Sequence, residues 1–339
     1  MGTDGLSAAQ SEPKLLARHG HLLLMMPPLM VVCLAQGLFD RTFVDAKLVD
    51  SVSHLISAEF ENFNQQIVRE GRARYVWLTT VVLTLVASVF AISYCGLIII
   101  RAYGRQRRRV DLFLIIGLCA AGVACSAFSV VTGGASMKQV FDLTFRALEQ
   151  SNELIAESFL RDIGLVLMII NALAFFAPFV AVFAGCCCLA PAPEGRRGDP
   201  VYVAERMKDL RGFLNAGSAL LVAGILHMAA WLHWPASMVA TDQARDGIRD
   251  LAMAISTYWG TTYSLGIVVI FIPAATILRA RTVRLLKEEA AVQNPAQWMQ
   301  EHGFVTSPAG HLRQLGVMFA PLLAAPLSQT LAQASGFSG

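Results

Sequence analysis

Long blocks of apolar residues alternate with shorter polar segments along most of this chain. Five blocks have about 20 or more consecutive uncharged, mostly apolar residues, enough to cross a hydrocarbon core of about 30 Å as a helix. Only a helix satisfies its own backbone hydrogen bonds when lipid surrounds it, so each block is predicted to be a transmembrane helix. The five predicted spans are 75–100, 112–132, 163–189, 212–236 and 258–278.

A sixth apolar block, 22–39, is shorter and contains Pro27 and Pro28. It is either a retained span or the apolar region of a signal peptide cleaved after Ala35, because small residues precede that point at the spacing of a cleavage site. The long leader 1–21 and the two prolines argue against cleavage. The chain is therefore predicted to be an all-α, polytopic membrane protein with six spans, or five if the first is removed.

Three polar segments between spans have the periodicity of amphipathic helices, with apolar residues three or four positions apart and charges opposite. We expect outer helices in 40–74 and 137–162, and a similar stripe in 237–257. No glycine or proline separates 137–162 from the next span, so one continuous helix kinked at Pro178 is expected. The stripes are Val49, Val52, Ile56, Phe60, Phe63 and Ile67; Phe141, Phe145, Leu148, Ile155 and Phe159; and Ile248, Leu251, Ile255 and Trp259.

Basic residues between the spans predict the orientation in the membrane. The segment 101–109 has five arginines and no acidic residue, and 190–211 and 279–287 are also basic, whereas the outer segments are more acidic than basic. The basic segments and the C-terminus are therefore expected in the cytoplasm. The predicted organisation is a leader 1–21, a first hairpin 22–100, a second hairpin 111–189, a cytoplasmic linker 190–211, a third hairpin 212–278 and a cytoplasmic tail 279–339, whose apolar part 317–327 lies at the interface or docks on the bundle.

Two of these hairpins share a sequence pattern. GGASM at 133–137 and WPASM at 234–238 each follow an apolar block, and in both the alanine lies 24 residues after the block's start, from Asp111 to Ala135 and from Gly212 to Ala236. The matching spacing predicts an internal repeat of parallel copies, with 22–100 as the least similar copy.

Tryptophans lie near the outer ends of the spans. Because indole rings favour the membrane–water interface, these residues are predicted to be interface anchors at headgroup level. They are Trp77, Trp231, Trp234 and Trp259.

Two histidines accompany them, His227 and His233. Six residues apart on a helix, they do not share a face as an i, i+4 pair would. They are therefore interpreted as polar residues near the interface or bonded to a neighbouring helix. A haem or metal site, completed by a residue such as His54, is the alternative.

Polar side chains within the predicted spans are candidates for interhelical hydrogen bonds or for the lining of a pore. They are Asn171, His227, Thr261 and Thr262. Cys186, Cys187 and Cys188 end a span at the membrane edge, where cysteines are either targets of reversible S-palmitoylation or small packing residues.

No nucleotide-binding, hydrolase or metalloprotease motif occurs, and no pair of carboxylates lies inside the predicted spans. A net charge of +3 does not indicate nucleic-acid binding, and no cysteine lies in a polar outer segment that could hold a disulfide. We therefore expect a protein without a cofactor, in the plasma membrane or the bacterial inner membrane. The sequence favours a non-enzymatic assembly, structural or sensory subunit, homo- or hetero-oligomeric through its outer helices; an oligomeric channel or facilitative transporter is the alternative.

Overall fold

The computed structural model describes residues 20–42, 63–103, 135–150, 155, 157–196, 198–239, 241–288, 294–304 and 308–332. Almost all of these residues are helical, and no strand occurs among them, which confirms the all-α prediction. The helices are α1 Met26–Thr42, preceded by a 3-10 turn Gly20–Met25, α2 Phe63–Tyr103, α3 Ala135–Gln150, α4 Glu157–Cys187, α5 Pro200–His233, α6 Asp242–Glu288, α7 Pro295–Glu301 and α8 Pro308–Ala332.

Five helical segments within this part of the chain are long and apolar enough to cross a membrane. They are Gly20–Arg41, Asn64–Tyr103, Ser158–Cys187, Pro200–Met238 and Asp242–Glu288, and they cover every predicted span except 112–132, which lies outside the described residues. The protein is thus an integral membrane protein built as a helical bundle. The proposed repeat between the second and third hairpins stays a prediction, because it depends on 112–132.

The first apolar block forms helix α1, and this helix packs into the bundle. The Tyr258 hydroxyl of α6 donates a 2.6 Å hydrogen bond to the Ala35 carbonyl, and the Phe39 ring lies 5.6 Å from Tyr258 and 5.7 Å from Trp259. Pro27 and Pro28 occupy the first turn of α1, where a missing backbone N–H breaks no helical hydrogen bond. The choice between a retained span and a cleaved signal peptide stays a prediction.

The outer segments differ in how they join their spans. In α2 the described part of the first outer segment, 63–74, continues into the span as one helix of 41 residues, and in α6 the outer segment and the span form one helix of 47 residues. Residues 43–62 lie outside the described residues, and with them the predicted stripe positions Val49, Val52, Ile56 and Phe60. The second outer segment instead ends as α3 at Gln150, Ile155 lies in a bend, and α4 begins at Glu157. The prediction of one continuous helix through 137–162 is therefore wrong. The apolar face of α3 packs across the end of α5, which requires the chain to turn before α4 enters the membrane.

Two groups of buried side chains form the core at different levels of the bundle. One lies towards the predicted outer segments and contains the four predicted anchor tryptophans, and the other lies towards the basic segments and contains Leu210, Phe213 and Ile270. Helix α5 joins both groups, because it packs against α2, α6 and α8. Helix α1 packs mainly against α6, so consecutive spans are not always packing neighbours.

The C-terminal helix α8 lies along α5 and α6 at the depth of their spans. The Ser218 hydroxyl of α5 donates a hydrogen bond to the Val317 carbonyl, and the backbone N–H of Leu322 donates to the Ser264 hydroxyl of α6 at 3.2 Å. Both serines lie inside predicted spans. Of the two alternatives for 317–327, docking on the bundle is therefore the one observed.

Candidate functional site

Three tryptophans and an imidazole meet in the outer part of the bundle. Trp77 comes from α2, His227 and Trp231 from α5, and Trp234 from the 3-10 turn that follows α5. The Trp77 ring centroid lies 5.1 Å from that of Trp234, 5.6 Å from that of Trp231 and 6.2 Å from that of His227. The three indoles are at most 1% exposed and His227 is 4% exposed. We call these four residues the aromatic cluster.

Helix α3 covers the aromatic cluster from the outer side. The Thr144 hydroxyl donates a 3.1 Å hydrogen bond to the Trp231 carbonyl, and the Trp231 Nε1–H donates to the Phe141 carbonyl at 3.3 Å. The buried positions of α3 recur at the three- and four-residue spacing of one helix face, which explains why this short helix docks. They are Val140, Leu143, Thr144, Ala147 and Leu148.

Several nitrogens of this region are buried without a hydrogen bond. They include both ring nitrogens of His227 and Nε1 of Trp77 and Trp234, and none has a partner among the described residues. A buried polar group that lacks a partner costs about 1–3 kcal/mol. The cluster therefore presents indole donors and an imidazole that could hydrogen-bond a small polar ligand. The described part of the chain brings together no group of three or more histidine, cysteine, aspartate or glutamate side chains suited to a metal, and His54 lies outside it.

The four tryptophans do not face the headgroup region. Trp77, Trp231, Trp234 and Trp259 are 0–3% exposed, so their rings cannot contact lipid headgroups. The prediction of interface anchors is wrong for a physical reason. The sequence indicates how far along the span each tryptophan lies, but the side of the helix on which its ring packs depends on the neighbouring helices. Their contribution is interior aromatic packing, whose pairs are each worth about 0.5–1.5 kcal/mol beyond burial.

The structure does not bring the candidate polar residues of the spans together. His227 and Thr262 are buried, whereas Asn171 on α4 and Thr261 on α6 are exposed. Thr261 donates to the Thr257 carbonyl at 2.8 Å and Thr262 to the Tyr258 carbonyl at 3.0 Å, so both hydroxyls are satisfied within α6. Interhelical bonds come from other hydroxyls, including that of Thr84, which donates to a carbonyl of α5.

The three consecutive cysteines pack inside the protein. Cys186, Cys187 and Cys188 are each 0% exposed, and Cys186 and Cys187 contact a group of buried side chains that includes Met25 and Phe183. Enzymatic acylation requires a thiol that the transferring enzyme can reach. Of the two alternatives for these residues, packing therefore agrees with the structure and S-palmitoylation does not.

A buried ion pair on α2 was missed by the sequence reasoning. Glu70 is 3% exposed and accepts two hydrogen bonds from Arg74 at 2.9 and 2.7 Å, while the Arg74 guanidinium lies 4.6 Å from the centre of the Phe159 ring of α4. The expected stripe placed Ile67 inward, but Ile67 is 45% exposed and Gln66 is buried instead. The i, i+4 spacing of glutamate and arginine was the available signal.

Comparison with known proteins identifies no relative: no protein family matches the chain, and no curated protein or solved structure is significantly similar to it.

Proposed function

We propose that the protein is a non-enzymatic membrane subunit that acts through helix–helix association, in an assembly, structural or sensory role. The observation that carries this proposal is the position of Asn171. Its amide lies eight residues into the predicted span 163–189, on an exposed face of α4, and it has no hydrogen-bond partner among the described residues. An amide in lipid is unfavourable unless another helix satisfies it, so an exposed amide at this depth supports an association surface.

Two large apolar side chains share the side of α4 that carries this amide. Met168, three residues before Asn171, and Phe175, four residues after it, are exposed and would add van der Waals contact around one interhelical hydrogen bond. Further exposed apolar residues lie around the lipid-facing surface of α4: Leu165, Ile169 and Phe176. We call Asn171 together with these five residues the α4 face.

The proposed surface differs from the outer helices that the sequence suggested. In α3, Leu148 is fully buried within the same chain, and in α6, Ile248 and Ile255 are buried as well. These stripes stabilise this chain's own fold, so the α4 face is the better candidate for an oligomer contact.

A channel or facilitative transporter, the alternative, receives no specific support from the described residues. Most hydroxyl groups within the described spans donate to carbonyls of their own helix, as those of Thr79, Thr80 and Thr276 do. Among the described residues, they do not line a shared pore.

The orientation that we propose places the basic segments 101–109 and 190–211 in the cytoplasm. The C-terminus was expected on that side too. However, Met318 of α8 is buried with the core group near the basic segments, and Ala324 and Ala325 are buried with the group that contains the tryptophans. This order supports a helix that runs outwards, so we propose that α8 ends on the outer side.

Two differently tagged copies expressed in one membrane test the association. We expect the wild type to purify in mild detergent with a stoichiometric partner, either the second tagged copy or another protein quantified by mass spectrometry. Asn171→Leu should reduce that partner several-fold. Thr261→Val is the matched control, because Thr261 is also polar and exposed in a span but already bonds within α6.

Two outcomes contradict the proposal. One is a wild-type protein that purifies alone, with its monomeric mass unchanged by Asn171→Leu. The other is a cysteine at position 171 that cross-links only to cysteines introduced in 112–132 of the same chain, because the α4 face would then be an internal contact.

A further inference from the structure

A cleft at the cytoplasmic edge of the bundle is lined by arginines from three parts of the chain. Arg196 comes from the linker between α4 and α5, Arg206 from α5, and Arg281 and Arg284 from α6. The cavity has a volume of about 190 Å³. Since a water molecule takes about 30 Å³, a phosphate group fits into this space.

The charges of this cleft are only partly neutralised. Arg196 pairs with Asp199 and Glu205, both at 2.8 Å, and Arg206 pairs with Asp209 at 3.2 Å. Partial burial raises the pKa of Asp199. Hydrogen bonds from Arg196 and from backbone N–H groups together lower this pKa by more than burial raises it, so the net shift is downward. Asp199 is thus an ionised partner that neutralises Arg196.

The other two arginines have no carboxylate partner among the described residues. Arg281 donates a 3.0 Å hydrogen bond to the Leu189 carbonyl, which orients its guanidinium without neutralising it, and Arg284 lies beside it on the same helix. In addition, Arg206 is 5% exposed and its Nε–H has no hydrogen-bond partner. Two uncompensated guanidinium groups and one buried, unpartnered donor therefore line one cavity.

Apolar residues line the cleft as well. They are Leu278, where the predicted span 258–278 ends, Val203 and Leu285. The cavity thus lies near the end of a predicted span, where lipid headgroups meet acyl chains, and its lining contains both cationic and aliphatic side chains. Basic cavities of this kind between transmembrane helices suit anionic headgroups.

We propose that this cleft binds the phosphate group of an anionic ligand through Arg281, Arg284 and Arg206, the headgroup of an anionic lipid being one source and a soluble phosphate compound the other. Guanidinium groups suit this role, because their planar N–H pairs match two phosphate oxygens at once. In the sequence these arginines indicate only membrane topology, because their convergence depends on the packing of α5 against α6.

Thermal unfolding of the full-length protein in a neutral detergent tests this site. A ligand that binds only the folded state raises the unfolding midpoint. We expect phosphatidylglycerol to raise the midpoint and phosphatidylcholine not to. Inorganic pyrophosphate serves as the soluble probe: a midpoint shift with pyrophosphate alone, and none with phosphatidylglycerol, assigns the site to a soluble phosphate compound.

Two variants locate the effect. The double variant Arg281→Gln/Arg284→Gln should weaken phosphatidylglycerol binding, measured by native mass spectrometry, by about tenfold or more, since each arginine near an anionic surface contributes about 1 kcal/mol or somewhat more. Arg279→Gln is the matched control, because Arg279 is exposed on the same helix but does not line the cavity.

An equal loss in Arg279→Gln would overturn the proposal, because the binding would then depend on general surface charge. The absence of any shift with both probes would overturn it as well. If the glutamine variant does not fold, Arg281→Lys/Arg284→Lys replaces it, because lysine keeps the positive charge. This variant should still bind phosphatidylglycerol more weakly than the wild type. Unchanged binding would exclude a guanidinium site.

Discussion

A Cβ atom on Gly260 would lie 2.6 Å from the carbonyl oxygen of Pro321, so α6 and α8 approach each other backbone to backbone at this point. One helical turn further along α6, the Ser264 hydroxyl accepts a hydrogen bond from the Leu322 N–H. The proline at 321 cannot donate to its own helix, and small residues on the partner allow this close approach. Helix α8 is thus fitted to a small-residue surface of α6.

Gly260→Ala should therefore disturb the docking of α8. The added methyl group meets backbone atoms, which cannot rotate away, and we expect a loss of about 1–3 kcal/mol of stability, the usual range for overpacking. Gly266→Ala is the control, because no heavy atom lies within 4 Å of a Cβ at that position. Thermal unfolding in detergent and protease cleavage after Arg313 would measure the effect, and equal behaviour of the two variants would contradict this contact.

The positions of the spans could be predicted from the sequence, whereas the packing direction of individual side chains could not. Runs of uncharged, mostly apolar residues determine where helices can cross a bilayer, and the predicted spans in the described residues are all helical. The direction in which a residue faces was not predictable, since it depends on neighbouring helices. Trp77 and Trp234 are therefore interior residues, and the convergence of Arg206 with Arg281 could not be read from positions 75 residues apart.

The docking of α3 over the aromatic cluster predicts a graded response to substitution along this helix. Leu148 is 0% exposed, so Leu148→Ala should cost about 2–5 kcal/mol, as removal of buried leucine atoms usually does. Phe145 is only partly buried, and its replacement by Asp should cost about 2–4 kcal/mol through lost burial and a poorly solvated charge. The exposed Arg146, replaced by Ala, should change stability by less than about 0.5 kcal/mol. Equal unfolding midpoints for all three variants would show that α3 does not pack here.

We expect substitutions of Glu70 and Arg74 to have non-additive effects on the free energy of unfolding. Glu70→Ala leaves the arginine beside Phe159 without its carboxylate and should cost about 2 kcal/mol, less than for a fully buried pair because Arg74 is partly exposed. The double variant Glu70→Leu/Arg74→Met removes both charges and should unfold at a higher midpoint than Glu70→Ala. A double-mutant cycle with the single variants Glu70→Leu and Arg74→Met measures the coupling from thermal unfolding, and strict additivity would mean that the pair contributes nothing.

His227 offers a test of the aromatic cluster. Since neither ring nitrogen has a hydrogen-bond partner among the described residues, His227→Leu should be neutral or stabilise the protein by about 1 kcal/mol. His227→Gln/His233→Gln keeps polar groups and should lose about 1 kcal/mol or less. A strong loss of stability in His227→Leu would show that the imidazole has a partner from outside the described chain, and a Soret band or stoichiometric metal in the purified protein would identify it as a haem or a metal site.

The path of α8 predicts the side of the membrane on which it ends. Its 25 residues extend about 37 Å as a helix, longer than a hydrocarbon core of about 30 Å, although α8 is not among the five segments that are both long and apolar enough to cross a membrane. Met318 is buried with the core group that lies towards the basic segments, whereas Ala324 and Ala325 are buried with the group that contains the tryptophans. The helix therefore runs away from the basic segments.

In a background without other reactive cysteines, Leu327→Cys should therefore react with a membrane-impermeant maleimide in intact cells. Gly195→Cys, in the basic linker, should react only after permeabilisation. Both positions are exposed in the folded protein, so a difference in their labelling would come from the side of the membrane on which each lies. Labelling of the two cysteines under the same condition would mean that α8 ends on the side of the basic segments, as the distribution of arginines alone predicts.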